Sequence, residues 1–302
     1  MSKSSEPGVG FEFPSYPVSW LKRDVLLFAN SIGCTADELH FLYAPKTHPQ
    51  SHHTGTPPSF QPFPTYPIIL PFKHTSLDVI DFYERSASSA ASIPGVPKLD
   101  TRRVVDGERK IEFRGGGKKF EVKSRVLGVY DKGKPGTVVE TVQELVDERG
   151  RCPKTVNFPP PEGKKPDAVV EHQTTPTSAH LYRLNGDYNP LHATPEPGQK
   201  MGFGGAIMHG LYSWNVACHE LLRTLGGSDP ENIREFQARF ASPVKPGDKL
   251  VIEMWQTGEE KGSGFEEVRF VVKVNGQKVC LSNGRAVMKC VGKKETKTSS
   301  KL

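Results

Sequence analysis

The sequence predicts an α+β fold in two halves, and three observations carry that expectation. β-Branched residues alternate with polar ones between Gly-rich turns over residues 104–146, and strand-like runs recur over 236–256, 265–274 and 278–290. That is the pattern of antiparallel strands. Helix-spaced apolar residues precede each strand set: Leu21, Val25, Leu26, Phe28, Ala29 and Ile32 within Trp20–Gly33, and the run from Ala206 to Leu225. Between the halves, Pro159-Pro160-Pro161 and Gly163-Lys164-Lys165-Pro166 mark residues 150–167 as a linker.

The remaining segments follow in order. Residues 44–71, rich in Pro, His, Ser and Thr, read as an irregular covering loop. His48, His52 and His53 there have no nearby acidic or Cys partner, so no metal site is expected. Asp78 to Ala91 is a second helix candidate ahead of Pro94-Gly95. Gly117-Lys118-Lys119-Phe120-Glu121-Val122 can be laid on Gly247-Asp248-Lys249-Leu250-Val251-Ile252, with Lys132-Gly133 near the offset of Lys261-Gly262. This suggests a duplicated strand–turn–strand unit, although any two twisted hairpins share Gly and Lys at turns. The expected organisation is a first half over 1–150, a linker over 151–167, a second half over 168–291 and a polar tail over 292–302.

Composition narrows the function. The chain has 302 residues, a formal charge of +6 and 25% charged residues, which excludes wholesale disorder. No run reaches the roughly 18 apolar residues of a membrane span; Ile68-Ile69-Leu70 is boxed in by Pro67 and Pro71. The first seven residues carry no secretory apolar stretch. Five cysteines, Cys34, Cys152, Cys218, Cys280 and Cys290, form no C-x-x-C pair and read as reduced, packed thiols. Basic residues are not interleaved with aromatics in a nucleic-acid motif, so no nucleic-acid partner is expected, while a phosphate-bearing ligand such as coenzyme A suits the charge. The chain ends Ser300-Lys301-Leu302, an address read by the peroxisomal import receptor. The expected compartment is the peroxisomal matrix, where acyl-CoA chemistry is concentrated.

The chemistry concentrates in Leu181-Tyr182-Arg183-Leu184-Asn185-Gly186-Asp187-Tyr188-Asn189-Pro190-Leu191-His192. Asp187 and His192 stand five apart across Asn189-Pro190, a turn-forming pair that pushes the chain away from helix. A carboxylate and an imidazole on such a bend can converge for general acid–base work. Eighteen residues on, Gly210 lies in Gly204-Gly205-Ala206-Ile207-Met208-His209-Gly210-Leu211-Tyr212. A Gly-flanked helix entry offers unpaired N–H groups and the positive dipole end to a developing oxyanion.

The stretch from Arg183 to His192, followed by Met208-His209-Gly210-Leu211, resembles the signature of the R-specific 2-enoyl-CoA hydratases, hydratase 2 of the MaoC-like hot-dog group. Such hydratases occur in the peroxisomal multifunctional enzyme of β-oxidation. Gln237 to Asp248 and Glu253-Met254-Trp255 agree with it. The first half is similar more loosely, through Trp20–Gly33, Pro94-Gly95-Val96-Pro97, Asp106-Gly107-Glu108 and Tyr130-Asp131-Lys132-Gly133. The resemblance implies a double hot-dog, two antiparallel sheets each wrapping a helix. The N-terminal half would have an incomplete central helix, leaving room for a bulky acyl chain.

The resemblance also implies roles. Asp187 and His192 would be the acid–base pair that activates water for syn addition across the 2,3 double bond. Asn189 would help hold that water, and the Gly210 N–H would stabilise the enolate. Substrate contacts would fall on Gly107, Lys132 and Phe240, and on Tyr188, Pro190 and Leu191 within the motif. The family places a His before Gly107, where this sequence has Asp106. No metal or redox cofactor is implied, family members pair as homodimers, and no dehydrogenase or sterol-carrier module accompanies the hydratase. The leading expectation is reversible hydration of trans-2-enoyl-CoA to (3R)-3-hydroxyacyl-CoA. Its alternatives are a dehydratase on a specialised acyl-CoA, a hot-dog thioesterase, which typically uses a lone carboxylate, and an acyl-CoA-binding protein with a fossil site.

Overall fold

Alternation in the strands and one long, almost wholly buried helix decide the architecture. The computed structural model describes residues 8–43, 60–76, 78–88, 92–97, 106–112, 121–131, 137–146 and 157–291. In chain order the elements are β1 (Glu12–Pro17), α1 (Lys22–Ser31), α2 (Leu39–Leu42), α3 (Leu70–Lys73), α4 (Phe82–Ser88), β2 (Glu108–Glu112), β3 (Glu121–Asp131) and β4 (Thr137–Val146). There follow β5 (Ala168–Gln173), α5 (Ser178–Arg183), α6 (Pro195–Lys200), α7 (Gly210–Gly226), β6 (Ile233–Phe240), β7 (Lys249–Glu260), β8 (Glu266–Val274) and β9 (Lys278–Met288). All strand pairs are antiparallel, in a three-stranded sheet β1-β3-β4 and a six-stranded sheet β2-β6-β9-β8-β7-β5.

The six-stranded sheet wraps α7. Along β7, Leu250, Ile252 and Met254 alternate into the core with no exposed surface, as period-two side chains must. Against them α7 presents Trp214, Val216, Ala217, Leu221 and Leu222, and Trp214 meets Phe236 edge-on at 4.5 Å. The helix is buried almost all round because the sheet covers one side and α5 packs over another, with Tyr182 edge-on to Tyr212 at 5.5 Å. It stops at Gly227, whose φ of 65° is the left-handed cap.

The expected linker is laid on the sheet where it is described. Phe158 sits under the guanidinium groups of Arg269 and Arg285, each 4.8 Å from its ring. Arg269 also donates to the Pro159 carbonyl at 3.0 Å, and Trp255 donates to that of Lys164 at 2.9 Å. The first half contributes β2 to this sheet: Glu108 pairs with Arg239 across the β2–β6 register.

Several expectations shift. The covering loop expected over 44–71 ends in regular structure: Tyr66–Ile69 is a 3-10 turn leading into α3, and Phe63, Tyr66, Ile69 and Leu70 are buried. The Asp78–Ala91 helix is α4, starting only at Phe82, where Asp81 accepts the N–H groups of Tyr83 and Glu84. The helix expected from Ala206 begins at Gly210, because residues 206–209 run extended and Met208 donates to the Val244 carbonyl at 2.8 Å. Strands β1 and β5 are additions. Residues 117–120 and 132–133 of the suggested duplication, the loop histidines, Cys152 and the C-terminal tripeptide lie outside the described residues. Cys34, Cys218 and Cys280 are buried unpaired thiols, and Cys290 is half-buried.

Candidate active site

The motif's backbone explains its shape. Gly186 has a φ of 122°, and a Cβ there would lie 2.8 Å from the Lys73 Cα, so only glycine lets the bend settle onto α3. Lys73, buried at the end of α3, pairs with Asp24 at 3.2 Å and donates to the carbonyls of Ser19 and Ser76. After the bend, Asn189 Oδ1 accepts the Leu191 N–H at 3.0 Å and caps the turn Pro190–His192. The Ile207 N–H returns to the Leu191 carbonyl, tying the motif to the chain that enters α7.

These restraints bring Asp187 and His192 together. A carboxylate oxygen of Asp187 and one ring nitrogen each of His192 and His209 lie within 4.8 Å of one another. His192 is buried and donates Nδ1–H to the Ile207 carbonyl at 2.9 Å, which fixes its tautomer and leaves Nε2 with the lone pair. Asp187 accepts one backbone N–H, from Asn189 at 3.2 Å. Burial raises the Asp187 pKa, which the nearby Asp106 charge also raises; His192, the Asn189 N–H and Arg183 oppose it. Burial lowers the His192 pKa against the pull of Asp187. Both effects favour the neutral pair, a carboxyl that holds its proton and an imidazole that lacks one.

Gly210, exposed at the first position of α7, completes the group. Its N–H is one of the four a helix start leaves without an intrahelical partner. A Cβ on Gly210 would stand 3.0 Å from the Phe240 ring, and Phe240 donates its N–H to the Gly107 carbonyl at 2.9 Å. Gly107, Phe240 and Gly210 are thus neighbours, with Asp106 beside them in an ion pair with Arg109 at 2.8 Å. Leu191 is buried within the turn. Tyr188 and Pro190 instead line a cleft of about 390 Å³ with Val79, Phe82, Tyr83 and Arg183, and neither Asp187 nor His192 forms its wall. Tyr188 also borders a second cavity of about 270 Å³ beside Lys73 and Gly186. Lys132 lies outside the described residues.

The sequence reading assigned no role to His209 or Tyr182. The His209 ring stacks on that of His192, with centroids 3.8 Å apart and planes 28° apart, and it donates Nε2–H to the Asp187 carbonyl at 3.1 Å. Tyr182 packs 5.1 Å from His209, its hydroxyl accepting from Asn215. The one sequence signal for His209 was its place before Gly210. Asp187, His192 and His209 make a metal-ligand set by composition, but zinc bonds lie in the imidazole plane at about 2.0–2.1 Å. In this arrangement His192 Nδ1 and His209 Nε2 are both already committed to the carbonyls of Ile207 and Asp187.

Two family models match the two halves of the chain. Residues 157–278 match the family described as MaoC like domain, and residues 19–153 match the MFE-2 hydratase 2 N-terminal domain. A protein of Ajellomyces capsulatus named probable dehydratase NIT22 is 46% identical, covering 93% of this chain and 81% of its own. The chain belongs to the MaoC-like dehydratase family. Its enzymes are hydratases and dehydratases, of the hydro-lyase class, and so is this chain. A peroxisomal enoyl-CoA hydratase 2 of Arabidopsis thaliana is 27% identical over 82% of this chain and 85% of its own. The crystal structure of a MaoC-like dehydratase from Phytophthora capsici superposes with a TM-score of 0.72 at 29% identity, covering 93% of this chain and 96% of that one. The fold is the MaoC-like double hot-dog. The seventeen-residue α7 fills the second half, and the longest helix described in the first half, α1, has ten residues.

Proposed function

We propose that this chain hydrates trans-2-enoyl-CoA reversibly to (3R)-3-hydroxyacyl-CoA in the peroxisomal matrix. The observation that carries the proposal is the oppositely shifted pair, Asp187 pushed toward its protonated form and His192 toward its neutral one, beside the first turn of α7. His192 Nε2 takes a proton from water as its oxygen bonds to Cβ, and the π electrons move onto the thioester oxygen as an enolate. The Gly210 N–H donates to that oxygen. The enolate collapses, Cα takes the proton from Asp187, and the proton on His192 then returns to Asp187. Asn189 holds the turn that aims both groups. Acid and base on one side of the bond give syn addition, and the formal oxidation of Cβ is offset by the reduction of Cα, so the step needs no redox carrier. The (3R) sense comes from the family likeness, and the compartment from Ser300-Lys301-Leu302 and the peroxisomal relative. A homodimer is carried forward on the same likeness.

The 46% identity to a protein named probable dehydratase favours a second reading, the same site run toward dehydration of a specialised 3-hydroxyacyl-CoA. The test is hydration of trans-2-decenoyl-CoA by wild type and Asp187→Asn, with the product trapped by an R-specific or, separately, an S-specific dehydrogenase. The expected result is turnover through the R-specific trap alone, lost by roughly 10²-fold or more in the variant. Release of free CoA without hydration sinks the proposal in favour of a thioesterase. Turnover confined to a specialised acyl-CoA selects the second reading.

A further inference from the structure

His209 is in the structure an oddly costly residue for a place that only packs. Its ring is 1% exposed, wedged between His192 at 3.8 Å and Tyr182 at 5.1 Å. The Nε2–H is used on the Asp187 carbonyl at 3.1 Å, but Nδ1 is buried with no hydrogen-bond partner. An unpaired buried acceptor opposes folding. A phenylalanine, a somewhat larger ring, would keep the stack without that orphaned nitrogen. What only the imidazole adds is the N–H on Asp187's own backbone.

We propose that His209 is a positioning residue for the acid–base pair, one imidazole fixing the Asp187 backbone through Nε2–H and the His192 ring through its face. The inference rests on the proposed hydratase reading and deepens it. The backbone of His209 is also the N-cap of α7, so the residue that locates the pair immediately precedes the Gly210 N–H. The acid, the base and the oxyanion donor are therefore set relative to one another by a single residue, seventeen positions from His192 in sequence. His209 must stay neutral for this, because a second imidazolium stacked on His192 would resist the proton His192 takes up. Burial, aided by the His192 charge, holds His209 well below the usual histidine range.

Two variants separate the parts. His209→Phe keeps a ring on His192 and loses the donor; His209→Gln loses the ring but places an amide N–H where Nε2–H was. The expected result on trans-2-decenoyl-CoA is a fall in kcat of roughly 10- to 100-fold for His209→Phe, as misplaced reacting groups give, with KM little changed. His209→Gln should recover part of that loss. A His209→Phe kcat equal to wild type, or a His209→Gln no better than His209→Phe, overturns the inference. So does a loss of kcat in both variants that follows their loss of thermal stability. A second measurement does not depend on activity. In ¹⁵N-histidine-labelled wild type, the resonances absent from either variant should be those of an imidazole protonated at Nε2 and unchanged from pH 8 to pH 6. Protonation at Nδ1 overturns the inference even if the enzyme is active. A wild type that hydrates no enoyl-CoA while showing the Nε2–H tautomer fails the hydratase reading instead.

Discussion

Two buried histidine–carboxylate groups, one around His219 of α7 and one just before its first turn, use the same residue types to opposite ends. Midway along α7, His219 donates Nε2–H to Glu38 at 2.8 Å, with both residues buried. Every oxygen of Glu38 is occupied: Oε2 also takes the Thr35 N–H, and Oε1 takes the Ser228 hydroxyl at 2.6 Å. Burial alone would raise the Glu38 pKa, but His219, Ser228 and Thr35 together bring it below the usual carboxylate value. At the N-terminal end, Asp187 has one backbone N–H, and burial prevails, raising its pKa. A saturated carboxylate is a structural lock that stays ionised. An under-satisfied one is a proton carrier, held in place at some cost to the fold.

The largest effect expected from that contrast is on stability. Glu38→Ala leaves His219 buried without its partner and should lower the unfolding free energy by about 3–5 kcal/mol. It also frees the segment from Thr35 to His40, whose His40 Nε2–H holds the Ser228 carbonyl at 2.7 Å. Asp187→Asn should instead leave the melting temperature unchanged or raise it, because it removes a carboxyl whose ionisation the fold disfavours. Denaturant melts of both variants at pH 7.5 check this. Equal destabilisation would break the distinction between lock and carrier.

A smaller effect divides the two groups by pH. The site histidines have folded pKa values below that of the unfolded chain, which is near 6.5. As pH falls through 6.5 the unfolded chain takes up protons the folded one refuses, so stability declines. Glu38, lowered in the fold, contributes stability above its unfolded value, about 4.3, and loses it only as pH falls through the carboxylate range. Asp187 works against the histidines, since its raised pKa adds stability as pH drops. His209→Phe isolates the histidine share: its melting temperature should fall less between pH 7 and pH 5 than that of wild type. Identical slopes would show that His209 titrates normally.

Much of this was legible in the sequence where the signal is local. The bend from Asp187 to His192 is written in six consecutive residues, and the strands from β6 to β9 follow from alternation. What sequence did not reveal depends on distant approach. Glu38 meets His219 across 181 positions, and the His209 ring finds His192 only because Met208 is pinned to Val244. Strand β1 hid because Pro14 and Pro17 argue against a strand, yet an edge position tolerates them. The stretch Ile68–Leu70 reads as loop because Pro67 and Pro71 flank it, although both prolines stand early in their helical turns, where a missing N–H costs nothing. Substrate-contact expectations divided likewise: Gly107 and Phe240 meet Gly210 through the β2–β6 pairing, whereas Tyr188 faces a different cleft.

The finest expected effect concerns Asp106, where the family has histidine. Its carboxylate is partly exposed and paired with Arg109, and its charge still reaches Asp187, raising that pKa. Asp106→Asn removes this contribution while preserving size, so Asp187 should ionise at lower pH and the alkaline limb of the kcat/KM profile, where the Asp187 proton is lost, should move down. The free-enzyme profile is the correct readout, since kcat/KM titrates the unliganded site. Asp106→His should move the limb the same way, because a neutral histidine likewise removes the negative charge. An unmoved limb would mean that Arg109 and solvent already neutralise Asp106. In that case the oppositely shifted pair owes its poise to burial alone, and the departure from the family at this corner acts on substrate contacts rather than on the proton.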